Sequence, residues 1–221
     1  MQPPVKESSI AVSQKPNRKK QEREAFGLTI LNPGHVEIRR LQHEAPQPSL
    51  HGHKVWRSSF LLIDYLQHRS SNTPARVLEV GCGWGLVGIY CAKMFNAQVT
   101  AVDADAAVFP YLKLHAKLNG VHIQTRQLAF AHIHAQELAA FDLIIGSDIC
   151  FWNELVDPLY DLVRLGIKTG IKEILLADPG RPPFDELCAR CKQESNAELI
   201  DWEIKKPFAT SGTILRVVGS A

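Results

Sequence analysis

From residue 75 onward, two spacings of apolar residues alternate along the chain. Short runs that are apolar on both faces sit at 76–80, 98–102, 121–127, 141–146 and 171–177. Between them, apolar residues recur at helical spacing over 86–95, 105–118 and 153–167, with a weaker, short stretch near 132–139. A further helix is predicted over 184–194, followed by two extended runs at 198–205 and 212–219. Strands without a polar face belong to a parallel sheet covered on both sides. Alternating strands and helices, joined by right-handed crossovers, place helices on both faces of that sheet. The last two runs have no helix between them and predict an antiparallel pair at its end. The expected fold class is therefore α/β, with a seven-stranded, mostly parallel sheet.

Ahead of this unit, Val55 to His68 carries Trp56, Phe60, Ile63 and Leu66 at helical spacing and predicts a helix packed by one face. Two shorter runs, Phe26–Leu31 and His35–Leu41, flank Asn32-Pro33-Gly34. Proline followed by glycine is turn chemistry, so a β-hairpin is predicted there. A Pro/His-rich loop follows over His43–His53, and Ser70–Pro74 reads as a linker. Residues 1–24 hold Lys15, Arg18, Lys19, Lys20 and Arg23 with few apolar neighbours, and read as a disordered basic tail. The chain thus divides into a tail (1–24), an N-terminal hairpin and loop (25–54) and one domain (55–221).

Composition narrows the partners. A formal net charge of +2 over 221 residues gives no broad attraction to nucleic acid. No apolar run approaches the roughly 18–20 residues needed to span a bilayer, so no membrane partner is expected. The five cysteines form an odd set without framework spacing, as suits a reducing cytoplasm. Cys188-Ala189-Arg190-Cys191 is a CxxC, but it falls inside the helix predicted over 184–194 and lacks a second ligand pair. No metal site is expected.

The chemistry centres on Glu79-Val80-Gly81-Cys82-Gly83-Trp84-Gly85, where the first strand ends and a helix begins. Such a turn lets a ligand approach bare backbone. Gly83 to Gly88 also spells GxGxxG, and Asp103 closes the next strand, where a ribose-binding acid sits in dinucleotide-binding folds. Two features argue against a dinucleotide. The turn starts at Gly81, ahead of that register, and Glu79 would repel a pyrophosphate. S-adenosylmethionine instead carries a sulfonium and an ammonium, which a nearby carboxylate favours. A nicotinamide-dependent oxidoreductase or a non-catalytic nucleotide-binding module remains the alternative of a different class.

Glu79-x-Gly81-x-Gly83-x-Gly85, with Asp103 and the terminal strand pair, resembles the first motif of the class I methyltransferases, whose sheet is Rossmann-like. The resemblance implies S-adenosylmethionine as cofactor, held by Trp56, Glu79, Gly81, Gly83, Gly85, Asp103, Phe130 and Ser147. Leu128-Ala129-Phe130 keeps the aromatic that follows the third strand in this family but not the acid that often precedes it. After the fourth strand there is no Asn/Asp-Pro-Pro-aromatic, as amino-methylating enzymes of nucleic acid would carry. Asp148-Ile149-Cys150-Phe151 instead resembles the Asp-x-x-Tyr/Phe of seven-strand protein-lysine methyltransferases. Val55-Trp56 and Asp178-Pro179-Gly180-Arg181 resemble segments of the electron-transfer-flavoprotein β-subunit lysine methyltransferases and their relatives. The resemblance implies N-methylation of a lysine in a protein substrate. Asp148 would orient the acceptor, while Phe151 and Trp152 would wall its channel. Asp148 as a cap of the following helix is the structural alternative. Phe151, standing where tyrosine is commoner, leaves a small-molecule N- or O-acceptor as the second reading within the class.

Overall fold

The computed structural model describes residues 21–48, 51–69 and 73–219. Its seven-stranded sheet is built from β3 (Arg76–Val80), β4 (Gln98–Asp103), β5 (Gln124–Gln127), β6 (Leu143–Ser147), β7 (Glu173–Asp178), β8 (Ala197–Ile204) and β9 (Thr210–Val218). The spatial order is β5-β4-β3-β6-β7-β9-β8. β3 pairs in parallel with both β4 and β6, while β9 runs antiparallel to both of its neighbours, β7 and β8. The predicted α/β fold with its terminal antiparallel pair is therefore observed, with strand ends displaced by up to three residues.

Alternation along each strand divides the core. Val77, Val99, Ala101, Ile145 and Leu175 face α2 (Arg57–His68), α3 (Leu86–Phe95) and α4 (Phe109–Leu118). Leu78, Val80, Ile144, Ile174 and Leu176 face the other layer. There α6 (Val156–Lys168) and α7 (Pro182–Glu194) pack with the single turn α5 (Ala135–Leu138). Cys188 and Cys191 lie within α7 and are buried, as a helical CxxC should be. Among the described residues no helix is long and apolar enough to cross a membrane.

The N-terminal hairpin exists, but one strand earlier than predicted. β1 (Glu22–Ala25) pairs with β2 (Leu28–Leu31) around Phe26-Gly27, whose φ values are 56° and 73°. Positive φ at both central residues is the turn geometry that matches strand twist. The run predicted as the second strand is instead helix α1 (Val36–Glu44). Pro33-Gly34 therefore turns the chain into a helix, because the His35 imidazole caps it by accepting the N–H of Glu37 at 3.2 Å. The part of the expected tail at residues 1–20 lies outside the described residues, and the remainder includes the start of β1.

Three residues dock these elements on the domain. Asn119 exchanges two 2.9 Å hydrogen bonds with the backbone of Thr29. His115 accepts the N–H of Leu31 at 3.2 Å and donates through Nδ1 to the Tyr111 carbonyl at 2.8 Å. This needs a neutral ring, and burial holds its pKa below the ordinary 6.5. Trp84, from the glycine turn itself, is 2% exposed and stacks on Tyr111 at 5.2 Å. It packs with Leu31 and Ile38, so hairpin and α1 cover the outer side of the turn.

Candidate active site

A cavity of about 390 Å³ opens at the carboxyl ends of β3, β4 and β6. That is where ligands bind in open α/β sheets, and the volume is in the range of cofactor pockets. Its floor is the glycine turn. Gly81 and Gly85 have φ of 59° and 71°. A Cβ at Gly81 would lie 2.5 Å from Ile149 Cγ2, and one at Gly85 2.5 Å from Leu112 Cδ1. Neither position accepts a side chain, so the turn stays bare toward the cavity.

Asp103 ends β4 and organises this floor. Its Oδ2 accepts the N–H of Gly83 at 3.0 Å, and its Oδ1 that of Asp105 at 3.0 Å. Burial raises its pKa against the pull of those amides. Phe130, in a short turn after β5, lies over Gly81 on the same side as Ile149. Ser147, at the end of β6, meets Ser59 of α2 hydroxyl to hydroxyl at 3.0 Å. Gly81, Gly83, Gly85 and Asp103 all line the cavity, as do Trp56, Phe130 and Ser147.

Glu79 is the exception among the predicted cofactor residues. It does not line the cavity, because it shares the Val77 face of β3 and turns toward α3. Its carboxylate is 3% exposed and fits against Gly88, where a Cβ would come within 2.4 Å of Oε2. That oxygen has no hydrogen-bond partner among the described residues. Burial pushes the pKa up to about 8, the Gly88 and Val87 amides pull it back, and the charge of Asp103 adds to the rise. The expected direct contact is thus corrected: Glu79 lies beneath the turn and does not face the cavity.

The acceptor residues predicted at 148–152 also reach the cavity. Asp148 has φ of 58°, rare for a side-chain-bearing residue, and this turns its carboxylate back across β6. It caps a helix, though not the one that follows it: Oδ2 accepts the N–H of Ser58 at 3.1 Å, in the first turn of α2. Its Oδ1 pairs with Arg181 at 2.5 Å, and Arg181 also holds the fully buried Asp178 at 2.7 Å. Burial pulls the Arg181 pKa down, but the hydrogen bond to Asp148 and the charges of Asp178 and Asp148 outweigh it, so the guanidinium stays charged. Asp148→Ala is expected to cost about 1–2 kcal/mol by uncapping α2. Asp148→Asn, which keeps an acceptor and tolerates left-handed backbone, should cost less; urea midpoints separate the two.

At the mouth, Phe151 and Trp152 form part of an aromatic wall completed from a distant segment. His51 packs edge-on against Phe151 at 4.6 Å and Trp56 at 5.4 Å, and Phe151 meets Trp152 at 4.7 Å. Trp152 is 44% exposed. His51 read only as loop content in the sequence, and its spacing from Phe151 gave no signal. Cys82 and Cys150 lie nearby, and burial pushes both thiols up, Cys150 to about 12, so neither is a thiolate.

These residues fit S-adenosylmethionine. Asp103 offers a carboxylate for ribose hydroxyls, Phe130 and Ile149 offer apolar faces for adenine, and bare amides line the turn. Glu79, buried beneath the turn with its pKa pushed up to about 8, is a carboxyl whose ionised form a sulfonium and an ammonium above the turn would favour.

Residues 39–181, well over half of the chain, match the lysine methyltransferase family. A ubiquinone biosynthesis O-methyltransferase of Xylella fastidiosa is 35% identical over 99 residues, 45% of this chain and 38% of that protein. The match therefore spans well under half the length of that curated relative. A methyltransferase of Pyrococcus furiosus shares the fold, with a TM-score of 0.57 at 16% identity over 74% of this chain and 83% of that one. The plantazolicin methyltransferase BpumL, solved in complex with SAH, does so with a TM-score of 0.51 at 14% identity, over 74% and 83%. The glycine turn and the Asp103 carboxylate both fall within the matched residues 39–181, and the chain belongs to the lysine methyltransferase family.

Proposed function

We propose that this chain transfers the methyl group of S-adenosylmethionine to a lysine side-chain amine of a protein substrate. The observation that carries this is the aromatic wall of His51, Trp56, Phe151 and Trp152, which lines the cavity together with Asp148, whose carboxylate pairs with Arg181. The cofactor, when bound, supplies an electrophilic methyl carbon on sulfur. The chain's part is to hold the acceptor in line with it, and such alignment can be worth about 7–11 kcal/mol.

A lysine amine attacks only when neutral, which at pH 7 costs roughly 4–5 kcal/mol from an ordinary pKa of about 10.4. Two groups act on it in opposite senses. Asp148, the member of the Asp148–Arg181–Asp178 cluster that lines the cavity, draws an ammonium toward it. Sharing Arg181 and capping α2 leave Asp148 a weaker counter-charge than a free carboxylate would be. The aromatic wall then disfavours the charged form by desolvation. Asp148 orients the amine through its remaining lone pairs, and Phe151 and Trp152 exclude water.

Asp103→Ala is expected to weaken S-adenosylmethionine binding about 10- to 100-fold, the loss of one charged hydrogen-bonding group of about 1.5–3 kcal/mol. Calorimetric titration measures it. The curated relatives named for ubiquinone biosynthesis favour a second reading, a small-molecule acceptor. Incubating the protein and methyl-labelled cofactor with a lysate, then separating macromolecules from small molecules, distinguishes the two. Label in the protein fraction is the expected result; label only in small molecules overturns the proposal.

A further inference from the structure

We propose that Lys54 is itself a methyl acceptor, modified in cis by the site it borders. This rests on the lysine reading above and extends it to a site in the chain itself. Among the described residues, Lys54 is the one lysine that lines the cavity, beside the glycine turn, Asp103 and Phe151. Its Nζ lies 4.0 Å from the ring centroid of Trp56, over the indole face. The aromatic wall assigned to an incoming lysine therefore already holds a lysine ammonium, by the attraction that such rings have for cations.

The segment bearing Lys54 is pinned to the site on both sides. The Trp56 indole N–H donates to the His51 carbonyl at 2.8 Å, closing the 51–56 turn on itself. The Trp84 indole N–H donates to the Gly52 carbonyl at 2.9 Å, tying that turn to the cofactor floor. Gly52 sits so close that a Cβ would lie 2.6 Å from Val108 Cγ1. Lys54 is exposed at the rim, so its flexible stem can swing its amine between solvent, Trp56 and the cavity. A nucleophile tethered there acts at an effective concentration that no dilution of the protein lowers.

In the step itself, the neutral Lys54 amine forms an N–C bond to the methyl carbon as the C–S bond breaks. The bonding pair leaves with sulfur as a neutral thioether, and the proton lost from nitrogen goes to water. Methylation keeps the charge, so the product still suits the Trp56 face.

The test uses the full chain with methyl-labelled S-adenosylmethionine and no other acceptor, followed by proteolysis and mass measurement. The expected result is a methyl mass gain on the peptide carrying Lys54, at a rate per molecule unchanged when the protein is diluted about tenfold. Lys54→Arg should remove that label. A gain confined to other lysines, or a rate that falls with dilution, overturns the proposal. A second readout needs no turnover: acylation of Lys54 by a succinimidyl ester should slow when S-adenosylhomocysteine fills the cavity, and an unchanged rate overturns the placement. Labelled lysate proteins without labelled Lys54 overturn this inference alone. No label on any lysine, with cofactor bound, overturns the lysine reading beneath it.

Discussion

Glu79→Gln is expected to stabilise the protein, and to do so increasingly as pH rises from about 5 to about 8. Glu79 is buried with one oxygen unpartnered, and its pKa is pushed from the ordinary 4.5 up to about 8. Between those values the unfolded chain has released this proton and the folded chain still holds it. Stability therefore falls with rising pH across that window and levels off above it. The full span corresponds to about 5 kcal/mol. Glutamine is neutral throughout, so the variant escapes this loss; below the window the two proteins should unfold alike. Thermal or urea unfolding across that range measures the divergence. A constant difference at all pH values would show that Glu79 does not titrate as its burial demands. The gain in stability has a functional counterpart. A cationic cofactor above the turn favours the ionised carboxylate, so binding near neutral pH should release protons from the wild type and fewer from the variant. Calorimetry in buffers of different ionisation enthalpy reads that release directly.

Trp84→Ala is expected to cost about 3–5 kcal/mol, the range for truncating a buried aromatic. Its ring stacks on Tyr111 and packs with Leu31 and Ile38, and its N–H holds Gly52. Two consequences should separate. The urea midpoint falls because a core position is emptied. Cofactor affinity also falls, because the 51–56 segment, which brings Trp56 and His51 to the cavity, loses its tie to the glycine turn. Trp84→Phe keeps most of the stacking and loses the N–H, so it should recover most of the stability but less of the affinity. Equal recovery of both would mean that the Gly52 bond does not hold the segment.

Much of this arrangement was legible in the chain because it is local. The strand runs from 76 to 177 and the glycine turn depend on neighbours a few residues away, and Asp103 closes the strand that follows the turn's own helix. What stayed hidden is long-range or conformational. The hairpin turn falls at Phe26-Gly27 because Phe26 adopts a positive φ, which an aromatic residue does not advertise. Pro33-Gly34 is an equally good signal for a turn, and only the His35 cap decides that a helix follows. The strand end was read correctly at Glu79, but the period of two that aims it at α3 rather than the cavity shows only once the sheet's two faces are assigned. Asp148 was read with a cap as its alternative role. The helix it caps precedes it by 90 positions, and the Arg181 bridge crosses between two strand ends. His51 reaches Phe151 across a hundred residues of sequence. No local pattern reports that.

The proposed chemistry is delivery of a methyl group from the cavity to a lysine amine. Its most direct test takes the macromolecular fraction of a lysate labelled through this enzyme, hydrolyses it in acid and identifies the amino acid that carries the methyl group. Nε-methylated lysine is the expected product, reduced in parallel with cofactor binding in Asp103→Ala. Label recovered on any other residue, or no acid-stable methyl amino acid at all, would contradict it.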